Sequence, residues 1–337
     1  MSVGGNGGDG GGGFYLTSTV NTKLLLLDMD MIGGAGGDGG AATGLAGTGG
    51  DGGNGGSGFF AENSGGKTTV SISGTVTGGD GGVAGVGVAG NGTVGSGGVG
   101  IGGSDLGVIL GATAVVSGGR NGGQIDDIAD ALHFVDGVNS LDLAAGALIT
   151  GSVVIASGSL TISVSDNYTL GSVLDGTGSV TKSGSGILTL SSGSSVTGSM
   201  TISTGTLALS GNSSIALSSS VTVDGTLDIS ALITGTSINT LSGAATGALV
   251  LGSKALTVTQ ATDGTFAGTL SGSGTFTKTG AGTLTLSGNS SGFTGNVTVS
   301  AGTLSISASN SLGSGALTLA GGTLSTSADL TLSLIHI

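Results

Sequence analysis

The stretch from Leu270 to Ile306 reads LSGSGTFTKTGAGTLTLSGNSSGFTGNVTVSAGTLSI. Within it, Thr283 to Leu286 and then Asn296 to Val299 alternate polar and apolar side chains. A period of two is the pattern of a strand with one face buried, and Gly and Ser-Gly pairs separate the strands. Gly-Thr-Leu stands at Gly282, Gly302 and Gly322, so the same corner returns every twenty residues. A motif at such a fixed spacing marks a stacked repeat fold. A unit of that length cannot bury its own apolar face and does so only against its neighbours. Leu284, Leu286, Val297, Val299 and Leu304 should therefore point inward, and the three glycines should make corners where a Cβ is unwelcome.

The same spacing extends through residues 136 to 331. Gly186-Ile187-Leu188, Gly205-Thr206-Leu207 and Gly225-Thr226-Leu227 follow one another at nineteen and then twenty residues. The pattern predicts an all-β solenoid of about 20-residue coils. Residues 1 to 123 are rich in glycine but keep a repeat of their own. Gly13-Phe14-Tyr15, Gly58-Phe59-Phe60 and Gly98-Val99-Gly100 each precede a Gly-Gly pair by twenty residues. Between them Leu25, Val70 and Leu110 fall in phase, as do Leu27, Ile72 and Ala112, and Met31, Val76 and Val116. This region is expected to be an irregular extension of the solenoid, with coils that carry long glycine loops. Two regions follow: 1–123, Gly-rich, and 124–331, the regular β-helix.

Residues 124 to 135, QIDDIADALHFV, carry helical spacing at Ile125, Ile128, Ala129 and Leu132. Leu132, Phe134, Leu141 and Leu143 alternate as strands do. The expectation is a short corner helix and then a strand. The last six residues, LSLIHI (332–337), break the repeat and look like the translation of a sequencing adapter, so His336 is given no role.

Composition narrows the function. Of 337 residues, 78 are Gly and none is Pro, Cys or Trp. Hydrophobic residues reach 37% against 7% charged, which sets the chain apart from disordered Gly-rich sequences. The net charge is −13 and the six basic residues are scattered, which excludes the clustered cations that nucleic acid or anionic lipid requires. The acidity is read as solubility for a long β surface. No apolar run approaches the roughly 20 residues of a membrane helix. The start, MSVGGNGGDGG, lacks the basic and apolar parts of a signal peptide; an exported protein would have its true N-terminus upstream.

Gly274-Thr275-Phe276-Thr277-Lys278-Thr279-Gly280-Ala281-Gly282-Thr283-Leu284-Thr285-Leu286-Ser287-Gly288-Asn289 is followed by Phe293-Thr294-Gly295 and by Val299 to Leu304. This segment, 274–304, resembles the autotransporter-associated β-strand repeat of bacterial type V secretion passengers, with Phe293 where Tyr is usual. A weaker copy spans 178–207, with Lys182 in the place of Lys278, Leu190 in that of Leu286 and Val196 in that of the aromatic residue. The resemblance implies a right-handed parallel β-helix displayed outside the outer membrane of a Gram-negative bacterium. It also implies a translocator barrel as partner, which this chain does not contain. In that family the repeat goes with passenger folding and secretion.

Candidate chemistry is sparse. Gly4 to Asp9 and Gly33 to Asp38 fit the opening of a calcium-binding nonapeptide, G-G-x-G-x-D, but Gly11 and Gly40 stand where a large apolar residue belongs. Asp126, Asp127, Asp130 and His133 form a carboxylate–imidazole cluster. On a helix they would approach a metal or acid–base arrangement; on a strand the side chains diverge. No nucleophile motif is present, and Gly100-Ile101-Gly102-Gly103 lacks the strand-to-helix unit of a dinucleotide site. A β-helix acting on polysaccharide would need grouped carboxylates, arginines and aromatic platforms, and these are spread thinly here.

The sequence therefore predicts a structural, surface-displayed stalk of an autotransporter passenger, adhesive or supporting its own secretion. No catalytic, cofactor or metal residues are expected. Its partners would be its own barrel and host or neighbouring-cell surfaces. The alternatives are a free secreted adhesin or matrix protein, or the non-catalytic part of a passenger enzyme.

Overall fold

In the computed structural model the protein is all-β, with no helix among the described residues, which are 2–18, 24–43, 46–63, 66–122 and 124–326. The chain divides into two compact units. One comprises residues 1–160 with 172–175, the other residues 161–171 with 176–337.

In the first unit three sheets are built by parallel pairing between successive coils. Phe14–Ser18, Phe59–Asn63, Ile101–Gly103, Leu132–Phe134 and Val153–Ile155 form one, in that order. Leu24–Leu27, Thr68–Ile72, Leu106–Leu110 and Val138–Leu143 form the second. Met31–Ile32, Thr75–Thr77, Val115–Ser117 and Leu148–Thr150 form the third. Inward residues such as Phe59, Val70, Val108, Val116 and Phe134 are at most 1% exposed. The coil shortens along the chain: Phe14 meets Phe59, then Ile101, Leu132 and Val153, at intervals of 45, 42, 31 and 21 residues.

The extra length of the early coils lies in the glycine runs, which pack as ordered layers. Runs 4–13, 47–58 and 92–100 lie parallel, bonded at every third residue: Gly7 N donates to Asp51 O (2.7 Å) and Gly52 N to Thr93 O (2.9 Å). Runs 33–42, 78–86 and 117–122 form a second parallel layer, with Gly36 N to Asp80 O and Gly81 N to Arg120 O, both 2.8 Å. The layers face each other antiparallel through Gly37 N to Gly8 O, Gly53 N to Gly37 O, Gly82 N to Gly53 O and Gly95 N to Gly82 O, at 2.7–2.8 Å. A three-residue bonding period is that of a polyproline II-type helix, which has no internal hydrogen bonds and satisfies its backbone only with neighbours.

Where the third residue of a Gly-Gly-X triplet is Asn or Asp, its side chain closes a further backbone donor of the next coil. Asn6 Oδ1 accepts the Asp51 N–H (3.0 Å), Asp9 Oδ1 that of Asn54 (2.7 Å), Asp38 Oδ1 that of Val83 (3.0 Å) and Asp80 Oδ1 that of Arg120 (2.8 Å). Glycine is needed here for close approach. A Cβ on Gly7, Gly36, Gly55 or Gly81 would overlap a carbonyl oxygen of the opposite layer, and none of these four takes the left-handed conformation.

Two expectations for this region are corrected. Val70 pairs with Val108, not Leu110, and Ile72 with Leu110, not Ala112, which is an exposed turn residue. Phe59 likewise meets Ile101, not Val99. Fixed offsets counted back from Gly118-Gly119 placed Val116 correctly, but the third coil is shorter before its second strand and longer after it. A two-residue slip leaves every side chain on its original face, so alternation does not reveal it. The helix expected within 124–135 is absent. Asn121 N donates to Asp127 O (2.9 Å) and Ala129 N to Gly119 O (2.8 Å), so the chain turns back along the last glycine run. Its backbone bonds go across, not along; Leu132–Phe134 is the strand expected.

The second unit is the regular one. Tyr168–Leu170, Ile187–Leu190, Thr206–Gly211, Thr226–Leu232, Ala248–Val250 and Thr269–Ser271 form one sheet. Ser179–Ser183, Met200–Ile202, Ser220–Val223 and Thr240–Ser242 form another. Thr236–Ile238, Leu256–Thr259, Phe276–Thr279, Val297–Val299 and Leu317–Leu319 form a third. Gly264–Phe266, Thr283–Leu286, Thr303–Ile306 and Thr323–Thr326 form the fourth. Leu284 pairs with Leu304 and Leu304 with Leu324, a coil of twenty residues. Leu284, Leu286, Val297, Val299 and Leu304 are all 0–2% exposed, facing inward as expected. Each such side chain contributes about 1.5–3 kcal/mol by leaving water.

Candidate functional site

Lys182 and Lys278 are 0% exposed, and each sits at an inward position of its strand. Lys278 follows Phe276 by two residues and shares its parity; its register partners are the inward Val258 and Val299. A cation placed there needs acceptors. Lys278 Nζ donates to the carbonyl oxygens of Thr279 (3.1 Å), Gly280 (2.9 Å) and Ala301 (3.0 Å). Lys182 Nζ donates to those of Gly184 (2.6 Å), Gly186 (2.7 Å) and Thr204 (3.0 Å). An ammonium has three donors and no acceptor, so in each corner the set is complete. Burial pushes both lysines below the ordinary lysine range, and at Lys278 the Asp263 carboxylate offsets part of that effect.

Glycine makes room for the ammonium. Gly280 (φ 76°) and Gly184 (φ 77°) turn the chain beside it, and Gly302 (φ 63°) and Gly205 (φ 65°) take the same turn one coil on. A Cβ on Gly205 would overlap the Gly184 carbonyl oxygen and crowd Lys182 Nζ, and one on Gly302 would overlap the Gly280 carbonyl. Gly282 and Gly322 are equally crowded, by Thr262 and Val299 respectively. A polar side chain ties each corner to the coil before it: Asp263 Oδ1 accepts the Thr283 N–H (2.7 Å), and Asn167 Oδ1 the Ile187 N–H (3.3 Å). Phe293 and Val196, the matching residues of the two segments, are both buried. The arrangement clamps carbonyls of two adjacent coils to one cation and fixes their spacing.

Both lysine corners thus hold carbonyls of two adjacent coils on one ammonium, through Thr279, Gly280 and Ala301 in one and Gly184, Gly186 and Thr204 in the other. Residues 180–214 and 276–306 match the family model of the passenger-associated transport repeat. Each matched segment begins on the strand that carries its buried lysine. These segments are repeats of the kind carried by autotransporter passengers, and the β-solenoid fold agrees with that resemblance. Comparisons with curated proteins and with solved structures gave no match.

The other candidates are placed as follows. Asp9 and Asp38 accept backbone amides of the neighbouring glycine run. Asp126 and Asp127 are exposed on the turn. Asp130 Oδ2 lies 2.7 Å from His133 Nδ1, a hydrogen bond three residues apart in the chain. No group of three or more His, Asp or Glu side chains that could hold a metal ion occurs among the described residues. His336 lies outside them. No helix of the described residues is long and apolar enough to cross a membrane.

Sequence reasoning did not find the lysine clamp, although its signal was present: Lys278 continues the inward parity of Phe276. Gln260 does the same after Leu256 and Val258, and its buried amide caps a neighbouring backbone by accepting the Leu241 N–H at 3.0 Å.

Proposed function

We propose that this chain is a structural, non-catalytic stalk segment of an autotransporter passenger, displayed outside the outer membrane of a Gram-negative bacterium. It folds there by stacking each emerging coil on the last, and it extends or presents an adhesive surface. It requires no metal or cofactor. Its partners are a translocator barrel and the surface of a host or neighbouring cell. The observation that supports this reading is the coincidence of the two matched repeats with the two lysine-closed corners, within coils paired parallel and in register. A fold of this kind grows from one edge, which suits vectorial emergence.

The test is a display assay. Residues 1–326 are placed between an export signal and a translocator barrel, and intact cells are treated with protease. The proposal predicts surface chain that is cleaved by added protease, and reduced display when 276–306 is deleted. Equal display of the deletion would remove the secretion-supporting role. Displayed chain that confers no adhesion to cells or surfaces would remove the adhesive one.

A further inference from the structure

Phe14, Tyr15 and Phe60 are the aromatic side chains of the described residues that are not buried, and they lie on neighbouring strands of one sheet. Tyr15 is 58% exposed, and its ring stacks on that of Phe60 with centroids 5.7 Å apart and planes 7° apart. Both point outward, since the adjacent Phe59 is fully buried. The column continues through Gly102 to His133. At Gly102 a Cβ would stand 2.8 Å from the Phe60 ring, so that ring lies over bare backbone and the column stays low between Phe60 and His133. Carboxylates flank both ends: the Tyr15 hydroxyl donates to Glu62, and Asp130 holds the His133 ring. At about 4.8 Å per strand step, Tyr15 to His133 covers about 14 Å, enough for a short run of sugar rings.

We propose that this outward column is a binding site for an amino-sugar polysaccharide. Aromatic faces take the C–H face of a sugar ring and attract a nearby ammonium, while carboxylates accept charge-assisted hydrogen bonds from amine and hydroxyl groups. Charge decides between sugars. With 19 acidic against 6 basic residues, the chain repels anionic polymers and steers a cationic one toward itself. The inference deepens the adhesive part of the proposed function by naming a ligand class. Its test uses purified chain, so a failure of display leaves it standing.

Glucosamine oligomers are titrated into the chain by calorimetry at mildly acidic pH, where their amines are charged. Tyr15→Ala and Glu62→Gln should each weaken binding about tenfold, as losses at a contact centre do. The double variant Asp126→Asn/Asp127→Asn, on the exposed turn, should change it less than about twofold, and N-acetylated oligomers should bind at least about tenfold more weakly. An equal loss in the turn variant would mean general attraction to a polyanion and would overturn the site. So would unchanged affinity in Tyr15→Ala. Glu62→Gln keeps an acceptor for the Tyr15 hydroxyl, so it reports on the site even if Tyr15→Ala perturbs the first coil.

Discussion

Lys278 and Ala301 are 23 residues apart in the chain, and the lysine ammonium lies 3.0 Å from the alanine carbonyl oxygen. The bond joins one coil to the next at a corner where no strand ladder runs. Lys278→Met fills the space but takes the ammonium from three carbonyls, of which that of Thr279 keeps the Gln260 N–H (3.0 Å). We expect a loss of about 2–4 kcal/mol in denaturant unfolding. An unchanged midpoint would show that water satisfies the corner as well as the ammonium does.

The same lysine sets a pH dependence. Its folded pKa lies below the ordinary 10.5, so between the two values the unfolded chain binds more protons. Stability should therefore rise as pH increases through that window toward 10.5. Tyr168, whose phenol burial pushes up, works in the opposite sense. Lys182 works in the same sense, so the difference between wild type and Lys278→Met isolates Lys278: the variant should show a smaller rise. Parallel profiles would contradict the assignment.

Neighbouring glycines in the first run make a sharper contrast. A Cβ on Gly7 would overlap the Gly37 carbonyl, whereas one on Gly8 meets nothing within 4 Å. Gly7→Ala should destabilise the first unit by about 1–3 kcal/mol. Gly8→Ala should be neutral or stabilise by up to about 1 kcal/mol through the unfolded chain. Thermal melting of the two variants decides it. Equal effects would mean that the layers are not packed at this distance.

Asp51 accepts both the backbone amide and the hydroxyl of Thr93, and those bonds hold its carboxyl below the usual range, the backbone bond most strongly. Its contribution is present above the ordinary value of 3.8 and fades as pH falls through the lower folded value. Asp51→Asn keeps an acceptor and should melt nearly as wild type at neutral pH, with a weaker acid-side loss. A large drop at neutral pH would assign the carboxylate charge another role.

What the sequence displayed depended on which rule each part of the chain followed. Leu284 and Leu304 lie inward because alternation and a twenty-residue return both act on side chains, which sequence displays. The glycine layers follow a rule of backbone spacing. The triplets around Asn6 and Asp9 show the period of three, but their partners at Asp51 and Asn54 are chosen by carbonyl and amide positions that no side chain encodes. The third coil slipped by two at Val108 because parity cannot count. The helix over 124–135 failed because Ile125, Ile128, Ala129 and Leu132 meet the spacing while the backbone amide of Ala129 is bonded to Gly119. At Lys278 the parity was visible; the three carbonyls that make a buried cation tolerable came from turns that only the folded corner brings together.

Inward side chains stack the coils within each unit, and the proposed function rests on that stacking. Native-state hydrogen exchange on Leu286→Asp puts this to the test. A buried carboxylate there should open the coils on either side, so amides of Thr283–Ile306 lose protection while those of Met200–Val223, several coils away, keep it. Protection retained throughout Thr283–Ile306 would contradict the inward, stacked arrangement.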